Sequence, residues 1–137
     1  MRIFFGLFFA TLTNFLAGIL GFYIATKFFY SSLNPSYLNT EISSSDYLSS
    51  FVLKFIVIVI LTWIMHRVMA MLDAPKKRIL FIFLLGSSFS LYNQVDIFWT
   101  EYSFTWSLIT VVGESINWLL TGYVLSKFIK PKHLGAL

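Results

Sequence analysis

Apolar residues fall into four long blocks along the chain, separated by short polar segments. The blocks run from about residue 3 to 27, from 50 to 71, from 79 to 98 and from 104 to 129. Each is long enough to cross the hydrocarbon core of a bilayer, about 30 Å thick, as an α-helix. The second block is apolar almost without interruption, whereas barrel strands alternate, so helices are favoured over a β-barrel. The pattern predicts an all-α integral membrane protein with four transmembrane helices in a compact bundle.

The segments between the blocks predict a single membrane domain over residues 1–137. They are an outer loop over 31–49, a cytoplasmic loop over 72–78 and a cytoplasmic tail over 130–137. Pro35 and several serines predict an irregular outer loop that ends by capping the second helix, with Asp46 near the positive end of that helix. The first block is longer than the apolar core of a signal peptide, so we interpret it as a retained helix.

Composition and charge support a membrane location and predict an orientation. The chain is 58% hydrophobic and 12% charged, which is not typical of a soluble domain. Basic residues cluster at the amino end, in the second loop and in the tail; they are Arg2, Arg67, Lys76, Lys77, Arg78, Lys127, Lys130 and Lys132. Because cationic flanks are retained in the cytoplasm, we expect both termini to be cytoplasmic, in the inner membrane of a bacterium. The net charge of +4 is therefore interpreted as a topology signal, and nucleic acid is not an expected partner.

Polar and small residues mark the helix faces that we expect to pack together. On the fourth helix, polar residues recur at three- and four-residue steps and form one stripe, which consists of Ser103, Ser107, Thr110, Glu114, Asn117 and Thr121. The first and third helices carry small residues that allow helix backbones to approach closely, including Ala17, Gly18, Gly21 and Gly86. The second helix is apolar nearly all round, so we expect it to have the most lipid contact.

Polar residues on different helices are predicted to lie at one depth, where they form an intramembrane polar site. The middle of the hydrocarbon is expected to contain Asn14, Thr62, Ser90 and Glu114, with Asn93 and Asn117 beside the same route. The cations Lys27 and Lys54 are expected about three turns or more toward the outer surface, where they would pair with Asp96 and Glu101. With no cation at its level, Glu114 is expected to be largely protonated.

Two roles for Glu114 follow from this placement. It could bind a proton or a cation in a transport path, or it could be a protonated hydrogen-bonding bridge that fixes the fourth helix against the first and third. His66 lies beside Arg67 near the cytoplasmic boundary. We expect an ordinary interfacial histidine there, with a proton relay as the alternative.

No motif in the sequence predicts enzymatic activity. The chain has no cysteine and two histidines, and it has neither a phosphate-binding glycine loop nor a cluster with metal-ligand spacing, so no cofactor or metal is expected. The leading hypothesis is a small membrane protein that acts through helix–helix association, as an accessory or assembly subunit of a membrane complex or as a homo-oligomer. The alternative is a proton-linked small transporter or channel that uses Glu114 at the membrane midplane.

Overall fold

Four α-helices make up most of the described chain. The computed structural model describes residues 1–29, 42–95 and 103–130. The helices are α1 (Arg2–Phe29), α2 (Ser44–Arg67), α3 (Pro75–Tyr92) and α4 (Phe104–Phe128), with a 3-10 turn at Met69–Met71. These ranges contain no β-strand, so the all-helical prediction is confirmed for them.

Three of the helices, α1, α2 and α4, are long and apolar enough to cross a membrane. α3 is shorter, and its first turn carries Lys76, Lys77 and Arg78. Large apolar side chains are exposed on the outer faces of the helices, as lipid contact requires; Leu20, Leu53 and Trp63 are examples. The length, the apolar composition and the exposed surface of these helices indicate a helical membrane protein with three candidate spans.

The beginning of α2 differs from the sequence prediction, and this difference changes the position of Lys54 within the helix. α2 begins at Ser44, within the predicted outer loop, because Ser43 and Asp46 form a capping box. The Asp46 amide donates to Ser43 Oγ over 3.3 Å, and the Ser43 amide donates to Asp46 Oδ2 over 2.8 Å. These bonds satisfy amide groups that a helix start leaves without partners. The prediction that Asp46 lies at the positive end of the second helix is confirmed, while residues 31–41 of the predicted loop lie outside the described ranges.

α3 is displaced along the chain from its predicted range. It begins at Pro75, whose fixed φ suits the first helical position, and it ends at Tyr92 instead of continuing to residue 98. The predicted bounds of α1 and α4 agree with the structure to within two residues.

The connection between α2 and α3 is held by Arg78. The buried Arg78 guanidinium donates to the carbonyls of Leu72 and Asp73, over 2.8 and 2.9 Å. On the exposed side of the same turn, Lys77 Nζ lies 2.7 Å from the Asp73 carboxylate. The hydrogen bond from Lys77 holds the pKa of Asp73 below its usual value, because it stabilises the charged form.

The helices pack in the order α3, α4, α1 and α2, and α2 makes little contact with α3. We call the end where α1 begins and α2 ends the Arg78 end, and the opposite end, where α2 begins, the Ser43 end. The apolar core lies toward the Arg78 end and consists of Ala10, Ile58, Leu61, Met65, Met69, Leu72, Ile82, Leu125 and Ile129. The Ser43 half of the bundle is less tightly filled, and it contains the cavities described below.

Glycines allow α4 to approach its two neighbours closely. A Cβ at Gly86 of α3 would lie 2.1 Å from the Trp118 ring, and one at Gly122 of α4 would lie 3.0 Å from the Ile79 carbonyl oxygen. Gly86 therefore has the packing position that the sequence predicts. Of the small residues predicted to pack on α1, Ala17 is half-buried and Gly21 has no atom within 4 Å of its Cβ position. Gly18 faces polar groups, as described next.

Candidate functional site

Lys54 lies inside the bundle, not near its outer rim as predicted. Because α2 begins at Ser44, Lys54 is near the middle of this helix. Its ammonium donates to Oδ1 of Asn14 on α1 over 2.9 Å. The expected ion pairs with Asp96 or Glu101 involve residues outside the described ranges.

A chain of hydrogen bonds continues from Lys54 across the bundle. Asn14, which is 2% exposed, donates through Nδ2 to Thr121 Oγ1 over 2.9 Å. The Thr121 hydroxyl donates in turn to the carbonyl of Asn117 over 2.7 Å. α2, α1 and α4 are thus joined by polar contacts at one level, where unpaired groups in a medium of low polarity would be costly.

Glu114 lies on α4 near this network. The Lys54 ammonium and the Glu114 carboxylate are close enough to interact electrostatically. They are not in direct contact, since the ion pair of Lys77 with Asp73 is the only one within 4.0 Å in the described part of the chain. Among the same residues, no donor hydrogen-bonds to the Glu114 carboxylate. The premise that no cation lies at the depth of Glu114 is therefore wrong, because Lys54 supplies one.

Two cavities meet at these charged residues. The first has a volume of about 390 Å³ and lies between α1, α2 and α4 toward the Ser43 end. The second has a volume of about 460 Å³ and lies between α2 and α3, with side chains of α1 and α4 behind it. Lys54, Glu114 and Asn117 line both cavities. We call these three residues the partition.

Two other residues of the predicted polar site lie in the wall of the second cavity. The Ser90 hydroxyl donates to the Gly86 carbonyl and accepts from Trp118 Nε1, each over 3.2 Å. Asn93 is exposed at the end of α3 and lines the same cavity. The structure therefore brings Asn14, Ser90, Asn93, Glu114 and Asn117 together around the partition.

Thr62, His66 and Lys27 lie apart from this group. Thr62 is buried, but it lines neither cavity, and its hydroxyl has no hydrogen-bond partner among the residues described. His66 is exposed in the last turn of α2, on the far side of the apolar core from the cavities. Lys27 is exposed near the end of α1, with its ammonium 5.9 Å from the centre of the Phe28 ring.

The contribution of Lys54 to the site was not predicted, although the sequence contained a signal for it. Ser43-Ser44-Ser45-Asp46 has the spacing of a capping box, which indicates a helix start six residues before the apolar block. Starting α2 there moves Lys54 from a helix end to the middle of the helix. The role of Thr121 as a hydrogen-bonding link is consistent with its place in the predicted stripe on α4.

The site combines an ammonium, a carboxylate and two carboxamides in a half-buried setting. Such groups can hold a proton or bind a small polar solute. Over residues 1–29, 42–95 and 103–130, no three His, Cys, Asp or Glu side chains come together as a metal site would require.

The chain matches no protein-family model, and no curated protein or solved structure matches it significantly. Function is therefore inferred from the chemistry and geometry of the site.

Proposed function

We propose that the protein is a small proton-linked transporter in which Glu114 takes up and releases the proton. The observation that supports this most directly is that Lys54, Glu114 and Asn117 line both cavities, so a solute passing between them meets both charges. Ionisable side chains deep in a membrane protein are costly to keep, and they commonly mark ion or proton pathways. A purely structural bridge would not require an ammonium and a carboxylate that are close but not in contact.

A carrier is favoured over an open channel. The apolar core, with Ile58, Met65, Ile82 and Leu125, fills the bundle between the partition and the Arg78 end. Most of the lining of both cavities lies toward the Ser43 end from this core, so the core separates a solute at the partition from the Arg78 end. Transport then requires helices to move so that access switches to the Arg78 end, as in alternating-access carriers.

The neighbours of Glu114 provide a route for coupling a proton to a solute. Lys54 faces it from α2, Asp46 lines the first cavity nearer the Ser43 end, and the groups from α1 and α3 are the neutral Asn14 and Ser90. With Glu114 ionised, its charge balances that of Lys54. A proton on Glu114 removes that charge and changes how a solute binds beside Lys54, so protonation and solute binding are coupled.

In this proposal all four helices cross the membrane, with both termini in the cytoplasm and the Ser43 end outside. The distribution of charge supports this orientation, because Arg2, the basic residues of α3 and Lys127 all belong to the Arg78 end. The cytoplasmic membrane of a bacterium is the proposed location.

Replacing Glu114 with glutamine is expected to abolish proton movement while preserving the fold, because glutamine retains the size and polarity of the side chain but cannot carry the proton. Purified protein in liposomes is subjected to a potassium diffusion potential, and internal pH is read with a trapped dye. The assay is run with and without an external mixture of amino acids, sugars and organic acids. We expect a decrease of at least about tenfold, to the rate of empty vesicles.

The matched control is Asp73→Asn, which removes an exposed carboxylate at the Arg78 end and should leave the flux unchanged. Wild-type-like flux in Glu114→Gln, at equal incorporation into the vesicles, would show that Glu114 does not carry the proton.

Helix–helix association remains a second proposed function, favoured by Gly21. Its Cβ position has no atom within 4 Å, so this face of α1 is open to a partner helix. Under this proposal the protein is an accessory or assembly subunit, or it forms a homo-oligomer.

The association proposal predicts a complex heavier than the 15.8 kDa monomer in native mass spectra after extraction in mild detergent from source membranes. Gly21→Leu should release the monomer, because the larger side chain prevents close approach of the backbones. Leu16→Ile, a change at an exposed apolar position of the same helix, serves as the control. A wild-type spectrum with monomer alone would contradict this second function.

A further inference from the structure

Two nitrogen donors from different helices converge beside Gly18 of α1. The Lys54 ammonium and the Asn117 side-chain amide are each 3.6 Å from the position that a Cβ of Gly18 would occupy. Because glycine has no side chain, the space in front of its Cα, between the two nitrogens, is open to a ligand. All three residues belong to the wall of the first cavity. We call this group the Gly18 seat.

The donors of the Gly18 seat have capacity left for a ligand. An ammonium has three N–H donors, and one from Lys54 is directed at Asn14. Asn117 is 8% exposed, and its side-chain amide has no hydrogen-bond partner among residues 1–29, 42–95 and 103–130. Two such donors, one of them charged, are suited to a carboxylate oxygen.

A group of opposite charge lies beside the seat. Glu114 precedes Asn117 by three residues on α4, so both side chains lie on the same face of the helix, and both line the first cavity. Since no donor in the described chain satisfies the Glu114 carboxylate, it is available to an ammonium group of a ligand. The cavity therefore presents a site for an anion and a site for a cation side by side.

The net charge of the site favours a ligand with no net charge. Lys54 and Glu114 together carry zero formal charge when both are ionised, and the Asp46 carboxylate, at the Ser43 end of the cavity, already accepts hydrogen bonds from the amide and hydroxyl of Ser43. A ligand with one charge would leave that charge uncompensated in a medium of low polarity, whereas a zwitterion pairs with both groups and adds none. A neutral polar solute would leave both charges without ionic partners.

The remaining wall of the first cavity indicates the chemical nature of the ligand's side chain. It is formed by apolar and aromatic side chains, which include Phe15, Ile19, Phe22, Trp106 and Ile109. A volume of about 390 Å³ is within the range of pockets that hold small molecules. This wall matches an aromatic or branched aliphatic side chain.

We infer that the solute is a small zwitterion of the amino-acid class with an apolar side chain. Its carboxylate binds in the Gly18 seat, and its ammonium binds at Glu114. This substrate assignment rests on the transport function proposed above, but binding can be measured independently of transport.

The test compares matched ligands on the purified full-length protein in detergent by isothermal titration calorimetry. Phenylalanine is compared with phenethylamine, which lacks the carboxylate, and with hydrocinnamate, which lacks the ammonium. Leucine is compared with isoamylamine and 4-methylvalerate in the same way. We expect at least one of the two zwitterions to bind about tenfold or more tightly than both of its singly charged analogues.

Gly18→Ala tests the seat itself. The added methyl group lies at ordinary contact distance from both nitrogens, so the fold is retained, but it narrows the space in which the carboxylate is assigned to bind. Zwitterion binding should weaken about tenfold or more. Gly21→Ala is the matched control on the same helix, since its methyl group meets no atom within 4 Å, and it should bind as the wild type does.

Changes in charge selectivity exclude a merely structural role for the two charged residues. Glu114→Gln should remove the preference for phenylalanine over hydrocinnamate, and Lys54→Met should remove the preference for phenylalanine over phenethylamine. The inference is overturned if the wild-type protein binds neither zwitterion, or if it binds a singly charged analogue as tightly as the zwitterion. Zwitterion binding of wild-type affinity in Gly18→Ala also overturns it. Proton flux with no zwitterion preference overturns the substrate assignment alone, whereas zwitterion binding without proton flux overturns the transport proposal alone.

Discussion

Replacing Lys54 with methionine is expected to lower the free energy of unfolding by about 3 kcal/mol. The change removes the cation that balances Glu114, and it leaves Oδ1 of the buried Asn14 without its donor. An uncompensated carboxylate at this depth is unfavourable, because it has no ionic partner in a medium of low polarity.

A double-mutant cycle measures how strongly the two residues depend on each other. Unfolding by sodium dodecyl sulfate in mixed micelles would be followed for wild type, Lys54→Met, Glu114→Gln and the double variant. The double variant should be more stable than Lys54→Met, because no unpaired charge remains, with a coupling energy of at least about 1 kcal/mol. If the two single effects add to within about 0.5 kcal/mol, the residues are not coupled and the partition is not an electrostatic unit.

Lys77→Met is the control for the loss of a lysine as such. Its ammonium contacts Asp73 directly, but both side chains are more than half exposed. A surface pair of this kind contributes little to stability, because water and salt screen it. We expect a much smaller effect than that of Lys54→Met.

The contrast between α4 and α2 shows which parts of the site the sequence could predict. On α4, the three- and four-residue spacing of Ser107, Glu114, Asn117 and Thr121 placed them on one face, and Asn117 and Thr121 are buried together beside Asn14. On α2, hydrophobicity placed the helix start at about residue 50, whereas the hydrogen bonds of Ser43 and Asp46 start it at residue 44. The start of the apolar block indicates where the chain enters the lipid, whereas the capping box indicates where the helix begins. The prediction for Lys54 failed because it treated these as the same place.

The hydrophobic and polar pattern could not predict which helix faces pack together. Thr62 and Asn14 were predicted at one depth, yet Asn14 faces the cavities and Thr62 does not, since rotation about a helix axis is set by packing against neighbours. The central place of α4, between α1 and α3, likewise depends on complementary surfaces. One such pair is Gly86 with Trp118, of which only the glycine was identified from its small size.

Replacing Gly86 with alanine is expected to lower the free energy of unfolding by about 2–3 kcal/mol, at the upper end of the range for overpacking. The new Cβ would lie 2.1 Å from Cδ2 and 2.3 Å from Cγ of Trp118, much closer than van der Waals contact allows. The atoms involved belong to the body of the indole near its attachment, so the ring has little freedom to swing aside. Moving it also breaks the 3.2 Å hydrogen bond from Trp118 Nε1 to Ser90, which joins α3 to α4 beside the second cavity.

The same micelle unfolding assay measures this effect, with Gly21→Ala as the matched glycine-to-alanine control. That change meets no neighbouring atom and reduces backbone freedom in the unfolded chain, so it should be neutral or slightly stabilising. Adding Trp118→Ala to Gly86→Ala should cost less than the two single changes together, because removal of the indole makes room for the methyl group. Equal stability of Gly86→Ala and Gly21→Ala would show that α3 and α4 do not meet through this glycine. The wall of the second cavity, and the position of Ser90 within it, would then need to be assigned differently.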